Sequence, residues 1–214
     1  MEMLPEIETS RWRLLFRLAQ SETLVRFTSF IFRSQVARNI SINVSGINLV
    51  LWSPTPRIRS RNQTIATKEP LTIKWLSEMP AGSVLWDVGA NIGLYSVLAA
   101  KFGARVVAIE PSVFNVEALT RNISLNQVQE QIIVVPLPIS HIGRKVSQLA
   151  LATMELGDSQ NLFHSLRRDT GTLLTPRTTY LIPGIPLDEI APLFEIPRPT
   201  QLKIDVRSEE HTSE

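Results

Sequence analysis

A short apolar run that ends in an acid and breaks into glycine constrains this chain more than any other feature. Val84-Leu85-Trp86-Asp87-Val88, led by Ser83, reads as a buried strand, and Gly89-Ala90-Asn91-Ile92-Gly93 is the turn that follows it. Leu94 to Phe102 has helical character, with Gly103 placed to end it. The same order then repeats. Arg105 to Ile109 is a second apolar strand, closed by Glu110-Pro111, and Ser112 suits the start of a helix running to about Asn126. Gln131 to Val135 is a third strand. Strands that alternate with helices are joined by crossovers, so this β-α-β-α-β order predicts a parallel sheet with helices on both faces. Leu187 to Phe194 reads as a short helix and Gln201 to Val206 as a fourth strand of the same sheet.

Upstream, the patterning differs. Residues 10–38 read as two helical stretches. Arg13 and Arg17 share one face of the first while Trp12, Leu15, Phe16 and Ala19 lie on another, and Leu24, Phe27, Phe30, Ile31 and Phe32 form an apolar stripe on the second. From Ile40 the period drops to two, and Ser45-Gly46 divides two alternating runs into a hairpin. Residues 53–64 are expected to be a loop rich in proline and arginine, and Thr72 to Glu78 a short helix. Between 141 and 182 the pattern is weak; Gly143 is suited to a hairpin turn and 157–172 to an extended loop. The chain therefore divides into N-terminal helices and a hairpin (1–68), a sheet domain (69–206) and a polar tail (207–214).

That tail changes character abruptly. Arg207-Ser208-Glu209-Glu210-His211-Thr212-Ser213-Glu214 resembles the translation of a common short-read sequencing adapter, and it is set apart from fold reasoning. On this reading the natural sequence stops at about Val206. The fourth strand is then an uncovered edge, prone to pair with other chains, so poor solubility and no turnover are expected.

Composition narrows the class. With 43% apolar and 20% charged residues the chain is globular rather than disordered. It has no apolar run of the roughly 20 residues that a membrane span needs. Glu2, Glu6 and Glu8 stand where a signal peptide is basic, and the chain has no cysteine, so a cytoplasmic location is expected. The sequons at Asn39, Asn43, Asn62 and Asn122 are accordingly read as chance matches. No His/Asp/Glu spacing suggests a metal site. Ten Lys/Arg face four acids in residues 1–68, a surface that suits an acidic or phosphate-linked partner if it is more than solvated.

The chemistry concentrates at the first turn. Gly89 and Gly93 allow a tight bend with room for a ligand beside it, and the following helix start is expected to present free N–H groups. Glu110 closes the next strand, where an acid can accept from both hydroxyls of a ribose. Dinucleotide enzymes need G-x-G-x-x-G for their pyrophosphate, and Asn91 and Leu94 break that pattern. Asp87, just before the turn, would repel a pyrophosphate and suits a cationic ammonium group. Asp87, the turn and Glu110 therefore favour S-adenosylmethionine (SAM) over a nicotinamide dinucleotide.

Val84 to Ser96 resembles the first motif of the FkbM family of methyltransferases. Lys68-Glu69-Pro70, Ala108 to Ser112, Asn115 to Asn126, Pro186 to Ile190 and Leu202 to Val206 resemble its further motifs, so the resemblance spans about residues 45–206. Where the family commonly has serine-aspartate after the third strand, this chain has Ser140-His141. The resemblance implies a Rossmann-like class I SAM methyltransferase fold, with strand order 3-2-1-4-5-7-6 of which four strands are present. It implies O-methylation of a sugar or natural-product hydroxyl, with a small-molecule or saccharide acceptor and no nucleic acid. The expected cofactor contacts are Asp87, Gly89, Ala90, Asn91, Gly93 and Glu110, with Glu69 near the methionine end. Asp205 is the candidate catalytic residue, and His141 and His164 are weaker candidates for a base. Two other readings stay open: a nicotinamide-dependent oxidoreductase, and a non-enzymatic module that works through Arg11, Arg13 and Arg17.

Overall fold

In a computed structural model, the residues described are 39–141, 143–166 and 171–206. The helices expected over 10–38 and the tail at 207–214 lie outside them. The compact unit that carries the sheet begins at Asn39.

The hairpin forms as expected, with β1 (Asn39–Val44) antiparallel to β2 (Ile47–Trp52). The proline-arginine segment is not a loop. Pro56–Gln63 is a helix, α1. Thr55 explains it: its hydroxyl accepts from the Ile58 N–H at 3.3 Å, and Pro56 in the first turn has no N–H to leave unpaired. Two short helices follow, α2 (Ile65–Lys68) and α3 (Pro70–Ser77).

The parallel sheet is built from β3 (Val84–Val88), β4 (Arg105–Ile109), β5 (Ile132–Val135) and β9 (Gln201–Ile204), in the order β5-β4-β3-β9. Helices α4 (Leu94–Lys101) and α5 (Val113–Asn126) make the first two crossovers. Strand parity sorts the core into two layers. Leu85, Val106, Ala108 and Ile132 pack with Val97, Leu98, Leu119, Ile123 and the hairpin's Leu49 and Leu51. Trp86, Val88, Val107, Ile109 and Val135 pack on the other face with Ile190 and Ala191 of α6 (Leu187–Phe194). A parallel sheet covered on both faces is what the alternating order predicts.

Residues 141–182 hold a second sheet that the sequence pattern does not show. It is antiparallel, with β6 (Lys145–Leu151) between β7 (Leu162–Phe163) and β8 (Thr178–Gly184). Gly143 precedes β6 and turns no hairpin, because the partners of β6 lie beyond the long loop that follows it.

Two asparagines of α5 close the free edge of the hairpin. The Asn126 amide bonds both the N–H and the carbonyl of Val50, at 3.0 and 2.7 Å, as a neighbouring strand would. Asn122 accepts from the Trp52 N–H at 2.8 Å and donates to the Ile92 carbonyl at 2.8 Å, which ties the hairpin to the first turn of the sheet. Asn122 and Asn62 are fully buried, so neither sequon is open to glycosylation.

Candidate cofactor site

The turn after β3 is held by the end of β4, by two side chains and by its own backbone. The N–H groups of Gly89 and Ala90 both donate to the Ile109 carbonyl, at 2.9 and 3.0 Å. Asn91 N–H donates to Oε2 of Glu110 at 2.8 Å, Ile92 N–H to the Asn91 side chain at 2.9 Å, and Gly93 N–H to the Ala90 carbonyl at 2.9 Å. Each N–H of residues 89–93 is thus satisfied, because the turn folds back on β4 and on neighbouring side chains. The free N–H groups expected of the helix start belong to the residues from Leu94 onward, which these bonds do not involve. Gly89 is required twice over: its φ is +79°, and a Cβ there would overlap the carbonyl oxygen of Asp205. At Gly93 a Cβ would overlap the Leu119 side chain, so this glycine sets how closely α5 approaches.

Glu110 sits at the bottom of the bend, 5% exposed. Besides Asn91, it accepts from the Ser112 N–H at 2.9 Å and from Nδ2 of Asn115 at 3.2 Å, both at Oε1. Ser112 is thus the residue before α5, but its hydroxyl makes no capping bond. A carboxylate has about four acceptor positions, and three are taken. One remains, on Oε2, so Glu110 as it stands can accept from one ribose hydroxyl rather than both. Burial raises its pKa, the three hydrogen bonds oppose that rise, and the charge of Asp87 adds to it.

Glu110 opens into a cleft of about 350 Å³, within the usual range for small-molecule sites. Its walls are largely apolar, with Val88, Ile109, Leu137, Ile139, Leu149 and Phe163 among them. Ser140 and His141 line it, as does His164, whose Nδ1 lies 3.2 Å from the Ser147 hydroxyl. A second cleft of about 250 Å³ lies on the other side of the turn and is charged, lined by Arg61, Lys68, Glu69, Tyr95 and Lys203 with Ala90 at its wall. Gly89, Asn91 and Asp205 border both. The two clefts are thus two arms with a shared wall at the bend.

Asp87, expected among the cofactor contacts, lines neither arm. It shares strand parity with Leu85, so its side chain enters the layer beneath α4 and is completely buried. There it accepts from the Ser96 hydroxyl at 2.6 Å and pairs with Nζ of Lys203 at 3.1 Å. The cation expected beside Asp87 is thus supplied by the chain itself. Lys203 also lies 3.9 Å from the Asp205 carboxylate and 5.0 Å from the centre of the Tyr95 ring. Asp205 keeps a side chain that is 69% exposed, at the junction of the arms. Glu69 accepts from the Thr72 hydroxyl at 3.1 Å, and its carboxylate faces Tyr95. Burial and the Glu69 charge push the Tyr95 pKa up, so it stays a neutral donor at physiological pH.

Residues 87–211 match the family model of the methyltransferase FkbM domain, more than half of the chain. The chain belongs to that family. The FkbM domain has the Rossmann-like fold expected from its order of strands and helices, and its cofactor is SAM. No curated protein matches the chain. Among solved structures it is similar to a SAM-dependent methyltransferase from Agrobacterium tumefaciens, at 13% identity and TM-score 0.37, over 46% of this chain and 32% of that one. It is also similar to the C-terminal domain of precorrin-6Y C5,15-methyltransferase from Rhodobacter capsulatus, at 22% identity and TM-score 0.30, over 41% and 65%. The tRNA m1G37 methyltransferase of M. jannaschii is similar at 20% identity and TM-score 0.32, over 45% and 29%. This FkbM-family chain thus spans about a third of the length of the first of these structures.

Sequence reading missed several residues that line or brace the two clefts. Lys203 lay in a matched motif, yet nothing local marks it as the partner of Asp87. Arg61 lay in a segment read as a loop, Asn115 lay in a matched motif with no role assigned to it, and Asp158 gave no signal. Among the described residues no group of His, Asp and Glu could hold a metal ion, and no helix is long and apolar enough to cross a membrane.

Proposed function

We propose that this chain binds SAM across the Gly89–Gly93 bend and serves an enzyme that methylates a hydroxyl of a small acceptor, a sugar or a natural product. The observation that carries the cofactor reading is the closed bend beside a buried acid. The backbone N–H groups of residues 89–93 are already bonded within the protein, while Glu110 keeps an acceptor position for a ribose hydroxyl. The groove suits the rest of the molecule. Its apolar arm fits a nucleobase, and its charged arm fits a zwitterionic amino-acid end, with Glu69 as the anion for the ammonium and Lys203 or Lys68 as the cation for the carboxylate. Asp87 serves this arm indirectly, by holding Lys203.

When bound, the cofactor supplies an electrophilic methyl group on a sulfonium. The chain's part is then to align, to exclude water and to manage a proton. Alignment of donor and acceptor can account for about 7–11 kcal/mol of barrier lowering. Asp205 borders both arms and has an exposed carboxylate, which supports assigning it to take the proton of an acceptor hydroxyl. The acceptor approaches from the solvent side of that junction.

Calorimetry with S-adenosylhomocysteine and with NAD tests the cofactor reading. Binding of the first and not the second is expected; tight binding of NAD, with none of the thioether, would end it. Methyl transfer to a panel of sugar and natural-product hydroxyls tests the acceptor class.

A further inference from the structure

The loop that leads into β7, part of the stretch read as extended, lines the apolar arm and is bound to the same side chains as Glu110. Residues 153–161 link β6 to β7 and contribute Asp158, Ser159 and Asn161 to the apolar arm. One end of this strap is held by α1, where Arg57 pairs with Glu155 at 2.8 Å and Arg61 donates to the Gly157 carbonyl at 2.8 Å. Its middle is held by two amides. Asn91 donates through Nδ2 to the Asp158 carbonyl at 3.2 Å, and Asn115 does the same at 2.9 Å. Asn115 also accepts from the Gly157 N–H at 2.8 Å. The strap keeps its own shape through the buried Asp158 carboxylate, which accepts from the N–H and hydroxyl of Thr153 and from the Gln160 N–H.

Asn115 is 1% exposed, and both ends of its amide are engaged. Nδ2 divides its two hydrogens between Oε1 of Glu110 and the Asp158 carbonyl, and Oδ1 takes the strap's Gly157. A buried amide with both hydrogens bonded and its oxygen engaged has one favourable orientation. The carboxylate and the strap are therefore set together by one side chain.

We propose that Asn115 is a positioning residue for the ligand-binding carboxylate, and that docking of the 153–161 strap is what holds Asn115 in place. This rests on the reading of Glu110 as the ribose contact. With the strap docked, the open acceptor position of Glu110 stays aimed at the groove and the strap wall closes over the nucleobase arm. With the strap displaced, Nδ2 loses its second anchor, and Glu110 loses a donor that favours its charged form.

The test is calorimetric titration of the full chain with S-adenosylhomocysteine across pH 5.5–8.5 (a range of about three units around the usual working pH), for the wild type, Asn115→Ala and Gly157→Ala. Circular dichroism confirms the fold of each. Wild-type affinity should fall as pH is lowered and Glu110 takes up a proton. Asn115→Ala should bind about tenfold more weakly at neutral pH, the size expected for one bond to a charged group. Its loss of binding should also begin at higher pH, because the charged carboxylate has lost a donor. The other titratable groups facing Glu110 or its cleft are Asp87 on β3, Tyr180 on β8, Asp158, Asp205, His141 and His164, and none is altered by the substitution. Gly157→Ala touches no atom of Glu110; its φ of +74° disfavours alanine and its Cβ would overlap the tip of the Ile58 side chain, so the substitution strains the strap. It should move the pH profile in the same direction, and it carries the test if Asn115→Ala does not fold. Unchanged affinity and pH profile in a folded variant, beside a wild type that binds, overturn this inference alone. A wild type that does not bind overturns the cofactor reading, and this inference falls with it.

Discussion

Asp87 and Lys203 are register partners on adjacent parallel strands, and their side chains meet at 3.1 Å under α4. The pair is nearly out of water, with side chains 1% and 11% exposed. Removing one partner leaves a buried charge alone, which costs far more than the pair itself contributes. Lys203→Met should therefore destabilise the chain by about 3–5 kcal/mol in urea unfolding. Adding Asp87→Asn should recover a large part of that loss. Additive losses in the double variant would show that the two charges do not depend on each other.

Gly89 and Gly143 both have positive φ, yet alanine should affect them differently. Gly143 has open space where a Cβ would go, so Gly143→Ala should cost only backbone strain, about 1 kcal/mol. At Gly89 the Cβ meets the Asp205 carbonyl, and backbone cannot swing aside as a side chain can. Gly89→Ala should cost about 1–3 kcal/mol more and abolish S-adenosylhomocysteine binding. Equal melting temperatures for the two variants would contradict this.

Glu110 should make stability and ligand binding respond to pH in opposite directions. Its pKa is raised in the folded chain, mainly by burial. Its contribution to stability is thus fully present below the unfolded value and is lost as pH rises through the folded one. Binding needs the charged form and follows the reverse course. Lowering the pH between those two values should raise the melting temperature of the free chain relative to Glu110→Gln, while weakening its affinity for S-adenosylhomocysteine. Parallel changes in both measurements would argue against a charged Glu110 in binding.

Asn126 and Asn122 separate the hairpin from the site. Each satisfies a backbone N–H of β2, and its loss should cost about 1–3 kcal/mol. Only Asn122 reaches the bend, through the Ile92 carbonyl. Asn126→Ala should lower stability and leave S-adenosylhomocysteine affinity unchanged, whereas Asn122→Ala should lower both. Equal ligand affinity in the two variants would show that the bend does not depend on Asn122.

Much of the sheet could be read from local pattern, and the reasons are specific. The apolar run at Val84–Val88, the glycines at 89 and 93 and the acid after Ile109 each express a steric or solvation rule that acts within a few residues. The same locality explains the failures. Thr55 and Pro56 start a helix, but an arginine-rich composition concealed it. Strands β6 and β8 pair across some thirty intervening residues, so no short window contains the signal.

From its sequence alone the chain determined an alternating parallel sheet, the bend over its strand tips and the placing of an acid at residue 110, because periodicity, turn sterics and burial are properties of neighbouring residues. Only the tertiary structure decided how the charges are used. Lys203, 116 residues from Asp87, takes the ammonium position that Asp87 was expected to offer a ligand. Asn91 and Asn115 bring a strap from the second sheet onto the Glu110 carboxylate. Such pairings depend on which strand lies beside which and which face a helix covers, and those relations exist only once the crossovers have closed.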